Sequence, residues 1–235
     1  MPNRATELRW GPHEPEDRES ARADAGGLTT AAIVKAAISV ADGEGLDAVS
    51  IRRVAAELDV HPMSLYTYIA SKDDLLALMA NEVVGLMLAA PPLPLRWREA
   101  VSDIARRSHA AYVGHPWVFA TLTRRPRLGP NVVALAKQMA EAVSGARLAP
   151  ADAWTALGIV NDYVIGHAMR VATSGNARDL EQAYSDDDVA EVPELRELTE
   201  VNARRGSTEH FETGLQTVLD GIERHFLPSG DGDRA

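Results

Sequence analysis

The segment SIRRVAAELDVHPMSLYTYIASKDDLL, residues 50–76, constrains the fold more than any other part of the chain. Ser50 is an N-cap residue type, and Ile51, Val54, Ala55 and Leu58 recur behind it at i, i+3, i+4 and i+7, which is one face of a helix. The dipeptide Asp59-Val60 leaves room only for a tight turn. Pro62 suits the first turn of the next helix, where its missing N–H has no partner to lose. Leu65 and Ile69 supply that helix's inward side. Ser71 caps a fourth helix with Asp73 and Asp74 in its first turn, where the helix dipole favours acids. Upstream, Thr29 or Thr30 caps TTAAIVKAAISVAD, residues 29–42, with Ile33, Ala37, Val40 and Ala41 on one face; GEGLDAVS breaks it with two glycines. Three short helices, the second and third separated by a tight turn, form the helix-turn-helix pattern.

The rest of the chain reads as helix throughout, so the expected fold is all-α: a small N-terminal helix-turn-helix domain and a larger helical domain. The fourth helix, 71–89, carries Leu75, Leu76, Leu78, Met79, Val83, Val84, Leu86 and Met87, and APPLP at 90–94 ends it. Further helices are expected at 96–114, 116–123, 129–145, 150–173, 193–204 and 208–226. No alternating pattern marks a strand. Residues 1–27 are rich in Pro, Gly, Glu and Arg without an apolar period, and read as a disordered arm. SDDDVAEVPE at 185–194 reads as an acidic surface loop. The divisions expected are 1–27 arm, 28–74 helix-turn-helix domain, 75–228 helical effector-binding and dimerisation domain, and 229–235 frayed tail.

Composition removes several function classes. There is no cysteine among the 235 residues, so disulfides and cysteine-ligated metal centres are excluded. No run of apolar residues is long enough to span a bilayer, and the first residues lack the apolar core of a signal peptide. A cytoplasmic location is expected. The formal charge is −10, with −2 on residues 1–27, −1 on 28–72 and −7 on the remainder. A protein binding nucleic acid with this balance must do so through local arrangement rather than a general basic surface.

In a helix-turn-helix the second of the two helices enters the major groove. With Leu65 and Ile69 turned inward, His61, Pro62, Met63, Ser64 and Thr67 face outward. Arg52 lies on the preceding helix, and an arginine is well suited to a bidentate bond with guanine. Ser64, Tyr66, Thr67, Tyr68 and Lys72 carry donors that suit phosphate oxygens. Three-helix units of this kind also occur in proteins that never touch DNA, and spacing alone leaves both readings open.

The segment LTTAAIVKAAISVADGEGLDAVSIRRVAAELDVHPMSLYTYIASKDDLLALM, residues 28–79, closely resembles the DNA-binding domain of the TetR family of transcriptional repressors. FETGLQTVLDGIERH, residues 211–225, is similar to the final helix of the tetracycline-repressor-like subgroup. The resemblance implies a homodimer that binds a palindromic operator in double-stranded DNA and leaves it when a small-molecule effector binds. Carried over position by position, it places base reading on Arg52, Pro62, Met63 and Tyr66, and phosphate contacts on Ser64, Thr67, Tyr68 and Lys72. Met63 departs in chemistry, since a thioether makes no directional bond to a base edge and suits a thymine methyl instead. Some family members reach the adjacent minor groove with an N-terminal extension, which points to Arg18 and Arg22.

For the effector pocket, the large and polar side chains of the second domain give the candidates Met87, Leu88, Trp117, Phe119, Arg124, Arg125, Met139, Asn161, Asp162 and His167. Trp117 and Phe119 follow Pro116 in a short segment, and pockets are mostly apolar with a few converging polar groups. His167 lies near Asp162 and Tyr163, as an acid–base pair or, the favoured reading, as part of a polar cluster. No two histidines stand at the i, i+4 spacing that binds zinc on a helix. The subgroup's magnesium-bound drug is held by histidines whose positions fall at or near Leu88 and Leu122 here, so the resemblance does not carry that ligand. No metal and no cofactor are expected, and the effector implied is apolar or aromatic. Stripes on 150–173 (Ala156, Ile159, Val160, Gly166) and 208–226 (Phe211, Leu215, Val218, Leu219, Ile222) suit dimerisation as a four-helix bundle, or packing within the chain. The alternative to a repressor is an all-α enzyme or small-molecule binding protein whose helix-turn-helix-like segment is only structural.

Overall fold

The computed structural model describes residues 28–122, 129–146, 148–173 and 206–227. Among these the chain is all-α: α1 (Thr30–Glu44), a 3-10 turn (Leu46–Ala48), α2 (Ile51–Glu57), α3 (Pro62–Leu65), α4 (Lys72–Met87), α5 (Trp97–Gly114), α6 (Val118–Leu122), α7 (Pro130–Ser144), α8 (Pro150–Thr173) and α9 (Thr208–Phe226). The arm, the helix expected at 193–204, the acidic loop and the tail lie outside the described residues.

Local chemistry sets the helix starts. Thr29, rather than Thr30, caps α1 by accepting from the Ala32 N–H at 3.1 Å. Ser50 does the same for the Arg53 N–H, and Ser71 for the Asp74 N–H, each at 3.1 Å. His61 caps α3 through Nδ1, which accepts from the Met63 N–H at 3.3 Å. Such caps satisfy N–H groups that have no partner within the helix. The turn between α2 and α3 requires Asp59 at φ 53°, a left-handed conformation that Asp tolerates better than most residues. Gly45, at φ 86°, ends α1 by turning its N–H back to the Ala41 carbonyl.

The chain packs as two compact units. The first takes in the described residues within Met1–Leu86 and Trp117–Leu135. Its core includes Ile33, Ala37, Val54, Ala55, Leu65, Ile69, Leu75, Met79 and Val83, each at most 1% exposed. Burying one Leu or Ile side chain is worth about 1.5–3 kcal/mol, so this set holds α1–α4 together. Two polar locks add to it. The Trp117 indole N–H donates to Asp42 Oδ1 on α1 at 2.6 Å. Asn131 exchanges two bonds with Asn81 of α4, its backbone N–H to Oδ1 at 3.0 Å and its amide to the carbonyl at 2.8 Å.

The second unit takes in the described residues within Met87–Pro116 and Ala136–Ala235. Val101, Ile104 and Ala105 of α5, Ala156, Leu157, Val160, Val164 and Ala168 of α8, and Phe211, Leu215, Leu219 and Ile222 of α9 are buried there. This divides the two stripes suited to dimerisation. Ala156 and Val160 face inward with most of the α9 stripe, while Ile159 and Gly166 stay exposed. Periodicity reports that a face is apolar and not which neighbour covers it. Arg106 is paired with Glu212 (2.7 Å), and Arg98 with Asp220 and Glu223, joining α5 to α9.

The Tyr163 hydroxyl donates to the Phe211 carbonyl at 2.9 Å and lies against Gly214, where any Cβ would overlap it. Gly214→Ala should therefore lower stability by about 1–3 kcal/mol, the usual cost of overpacking. Gly43→Ala, where an added Cβ meets nothing within 4 Å, should be neutral or slightly stabilising. Urea unfolding of both variants provides the comparison. Equal midpoints would contradict the tight α8–α9 crossing.

Candidate DNA-reading surface and ligand cavity

The residues expected to read bases sit on α2, α3 and the turn after it. Arg52, second residue of α2, is exposed and makes no ion pair among the described residues. Its neighbour Arg53 is held by Glu44 (3.0 Å from Nε to Oε1) and Glu57 (2.9 Å), and those two carboxylates keep its guanidinium firmly charged. Of the two arginines, only Arg52 has its donors unspent. Met63 and Tyr66 are 64% and 50% exposed, an unusual position for side chains of their size, and Pro62 is half-buried between the helix start and solvent. Ser64 and Thr67 are exposed and Tyr68 is half-buried. Lys72 opens α4 and is exposed, without an ion pair among the described residues. A cation at a helix N-terminus is disfavoured by the dipole, while an anion there is favoured. A phosphate beside Lys72 would be attracted by both the ammonium and the helix end. Arg18 and Arg22 lie outside the described residues.

The second unit holds an apolar cavity with about 330 Å³ of empty space, part of it open to solvent. Val101, Ile104, Ala105 and Ser108 line it from α5, Leu157, Val160, Asn161 and Val164 from α8, and Met139 from α7. Its enclosed volume is about 30 Å³, room for a water or two, so a larger guest requires the walls to part. No ionisable side chain lines it.

Two of the pocket residues expected from sequence, Met139 and Asn161, are brought together in this cavity. The others are elsewhere. Trp117 and Phe119 belong to the first unit, where the Trp117 indole is bonded to Asp42. Met87, buried at the end of α4, and half-buried Leu88 do not line the cavity. Asp162 is exposed, because it falls on the outer side of α8. Arg124 and Arg125 lie outside the described residues. Sequence reasoning missed the α5 wall, although Val101, Ile104, Ala105 and Ser108 stand at i, i+3, i+4 and i+7, an inward stripe with one hydroxyl in it.

His167 is buried, and it meets Tyr163 through a ring contact rather than as an acid–base pair. Its Nδ1 lies 2.8 Å from Nε2 of His109 on α5, and His109 stacks on Phe211 with ring centroids 3.9 Å apart. His210 and Tyr163 complete a ring cluster around His167. Burial, and then the neighbouring His167, push the His109 pKa from 6.5 down to about 4, against the opposing pull of Glu212. His109 is thus uncharged near neutral pH. Above pH 6.5 neither the folded nor the unfolded chain protonates His109. Between pH 6.5 and 4 the unfolded chain takes up a proton that the folded chain refuses, so stability falls as pH falls. Solvent screening of this half-buried group reduces the effect to on the order of 1 kcal/mol. Urea midpoints at pH 7 and pH 5 should differ less in His109→Gln than in the parent. Equal differences would show that His109 does not carry the effect.

Among the described residues, no group of three or more His, Asp or Glu side chains is placed to hold a metal ion. Nor is any helix long and apolar enough to cross a membrane.

Residues 33–79 match the family of bacterial regulatory proteins, tetR family, and residues 90–226 match the tetracyclin repressor-like C-terminal domain. The HTH-type transcriptional repressor DrrR1 of Streptomyces coeruleorubidus is 32% identical, over 94% of this chain and 85% of that protein. An HTH-type transcriptional regulator of Saccharopolyspora erythraea is 29% identical, over 83% of this chain and 84% of its own length. A possible TetR family transcriptional regulator from Streptomyces coelicolor A3(2) has a similar structure, with TM-score 0.68 and 28% identity over 83% of this chain and 99% of that one. ActR from Streptomyces coelicolor, solved in complex with actinorhodin, gives TM-score 0.66 and 25% identity over 85% of this chain and 97% of that one. With a helix-turn-helix at its start, a matching helical domain behind it and a repressor relative along nearly its whole length, the chain belongs to the TetR family of transcriptional repressors and is not an enzyme.

Proposed function

We propose that the protein binds a palindromic operator as a homodimer and is released when a small apolar or aromatic molecule occupies the cavity between α5, α7 and α8. The observation that carries the ligand half of this reading is the cavity itself, with its apolar walls and two polar side chains. The complex of ActR with actinorhodin lends support from a relative of the same fold. The site expected for magnesium in the tetracycline-repressor-like subgroup has no histidine here, which favours an effector bound without metal.

The dimer is supported by the outer face of α8. Trp154, Ile159 and Met169 are 55%, 42% and 47% exposed, and Gly158 and Gly166 lie on the same side with open space where a Cβ would go. Large apolar groups interleaved with glycines on one long helix suit a second helix packed closely against them. In a dimer the two reading helices must lie about 34–36 Å apart to enter successive major grooves. An effector acts only by preferring the conformation that misses this spacing, with a coupling of about 1–3 kcal/mol typical of such systems. Helix α4 offers the covalent route, since it starts at Lys72 in the first unit and its last residue, Met87, belongs to the second. A cytoplasmic location accompanies this role.

The test uses fluorescence anisotropy on duplex DNA from upstream of the protein's own gene, with an aromatic compound selected for raising its melting temperature. Tight binding, reversed by the compound equally with and without EDTA, is expected. Release that needs magnesium would contradict the metal-free reading, and no binding to any upstream duplex would contradict self-regulation.

A further inference from the structure

Helix α3 is capped unlike the others. Thr29 on α1, Ser50 on α2, Ser71 on α4 and Ser207 on α9 cap with a hydroxyl, each accepting a backbone N–H at 3.1 Å. His61 caps α3 with an imidazole, and its bond to the Met63 N–H is longer, at 3.3 Å. A Ser or Asn would serve that helix start better. Capping alone therefore does not account for the ring.

The cap bond has a second consequence. A backbone N–H can only donate, so Nδ1 accepts and the ring proton lies on Nε2. Because the ring is tied at Nδ1, the Nε2–H is a donor held in one direction. His61 is exposed, and its Nε2 makes no hydrogen bond among the described residues. It stands beside half-buried Pro62 and exposed Met63, where α3 begins. The first residues of this helix are the ones that meet base edges in a helix-turn-helix. Neither neighbouring side chain has a donor of its own.

We infer that His61 is a base-reading residue: its Nε2–H donates to an acceptor on a base edge in the major groove, while its Nδ1 holds the start of α3. This rests on the chain reading DNA with α2 and α3. Purine N7, guanine O6 and thymine O4 are acceptors of the required kind. A base edge suits the ring better than a phosphate, because a ring that accepts at Nδ1 brings no positive charge. Exposed Ser64, Thr67 and Lys72 carry donors suited to phosphate.

Two variants separate the two nitrogens. His61→Ser keeps a cap and has no donor at the reach of Nε2. His61→Gln puts an amide N–H near the place of Nε2 and is a poor cap. Both are titrated as full-length protein, by anisotropy, on a duplex the parent enriches from a genomic digest, on its single-base-pair variants and on a scrambled duplex. His61→Ser should lose about fivefold per half-site on the enriched duplex, hence about 25-fold on two half-sites, the typical worth of one hydrogen bond in each. It should lose the parent's preference at one base pair per half-site, with unchanged affinity for the scrambled duplex and an unchanged salt slope. Its melting temperature should be no lower than the parent's. His61→Gln should keep the base-pair preference despite a lower melting temperature. Affinity that follows the cap instead, kept by His61→Ser and lost by His61→Gln, would make His61 a cap alone and overturn its base reading. An equal loss by His61→Ser on the scrambled duplex would put the donor on a phosphate and overturn it as well. A parent that prefers no duplex over the scrambled one would overturn the DNA reading itself.

Discussion

Trp154→Asp combined with Ile159→Asp should convert the protein to a monomer and weaken operator binding by about 100-fold or more. Both side chains are already exposed, at 55% and 42%, so the substitutions leave the chain's own core intact. In a dimer they would place four carboxylates where an apolar face meets its copy, and unpaired buried charge is among the costliest changes available. The loss at the operator follows from geometry. In a dimer the second half-site is met intramolecularly, an advantage of about 10²–10⁴ that a monomer forfeits without losing a single DNA contact of its own. Sedimentation velocity and anisotropy on the same samples, with circular dichroism as a folding check, read both effects. A double variant that stays dimeric at micromolar concentration would remove α8 as the interface.

Arg52→Ala should cost about 1–3 kcal/mol per half-site, hence about 2–6 kcal/mol for a dimer on two half-sites, and relax sequence preference at one base pair in each. Arg53→Ala is the internal control. Its guanidinium is already engaged by Glu44 and Glu57, so its removal should change operator affinity much less. Lys72→Ala should weaken binding to every sequence alike and flatten the salt dependence by about one unit, as expected for a phosphate contact. Anisotropy against operator and scrambled duplexes, at several salt concentrations, separates the three. Unchanged operator affinity in Arg52→Ala, or a loss in Arg53→Ala as large, would remove Arg52 from the base-reading role.

The N-terminal unit was largely legible in the sequence because short-range chemistry decides it. Caps at Thr29, Ser50 and Ser71, the Asp59 turn and the inward pair Leu65 and Ile69 each involve partners a few residues apart. The role of His61 as the α3 cap went unread, because an imidazole is a rare substitute for a hydroxyl or carboxylate there.

The second unit was legible as helices but not as a site. His167 stood beside Asp162 and Tyr163 in sequence, yet its partner is His109, 58 residues away. Trp117 carried the marks of a pocket residue, and a distant Asp42 holds it instead. Ser108 stood in the inward stripe of α5 with Val101, Ile104 and Ala105, but which helices face that stripe across the cavity is not contained in periodicity. The apolar stripe of α9 was real, but its cover is α5 and α8 of the same chain.

The most direct test of the central claim is to sequence the genomic fragments retained by the purified full-length protein. A homodimeric repressor of this family should enrich a small set of fragments that share an inverted repeat, with half-site centres about one DNA turn, or 10–10.5 base pairs, apart or a multiple of that. Enrichment of a single unrepeated sequence, or no enrichment over input, would contradict the account.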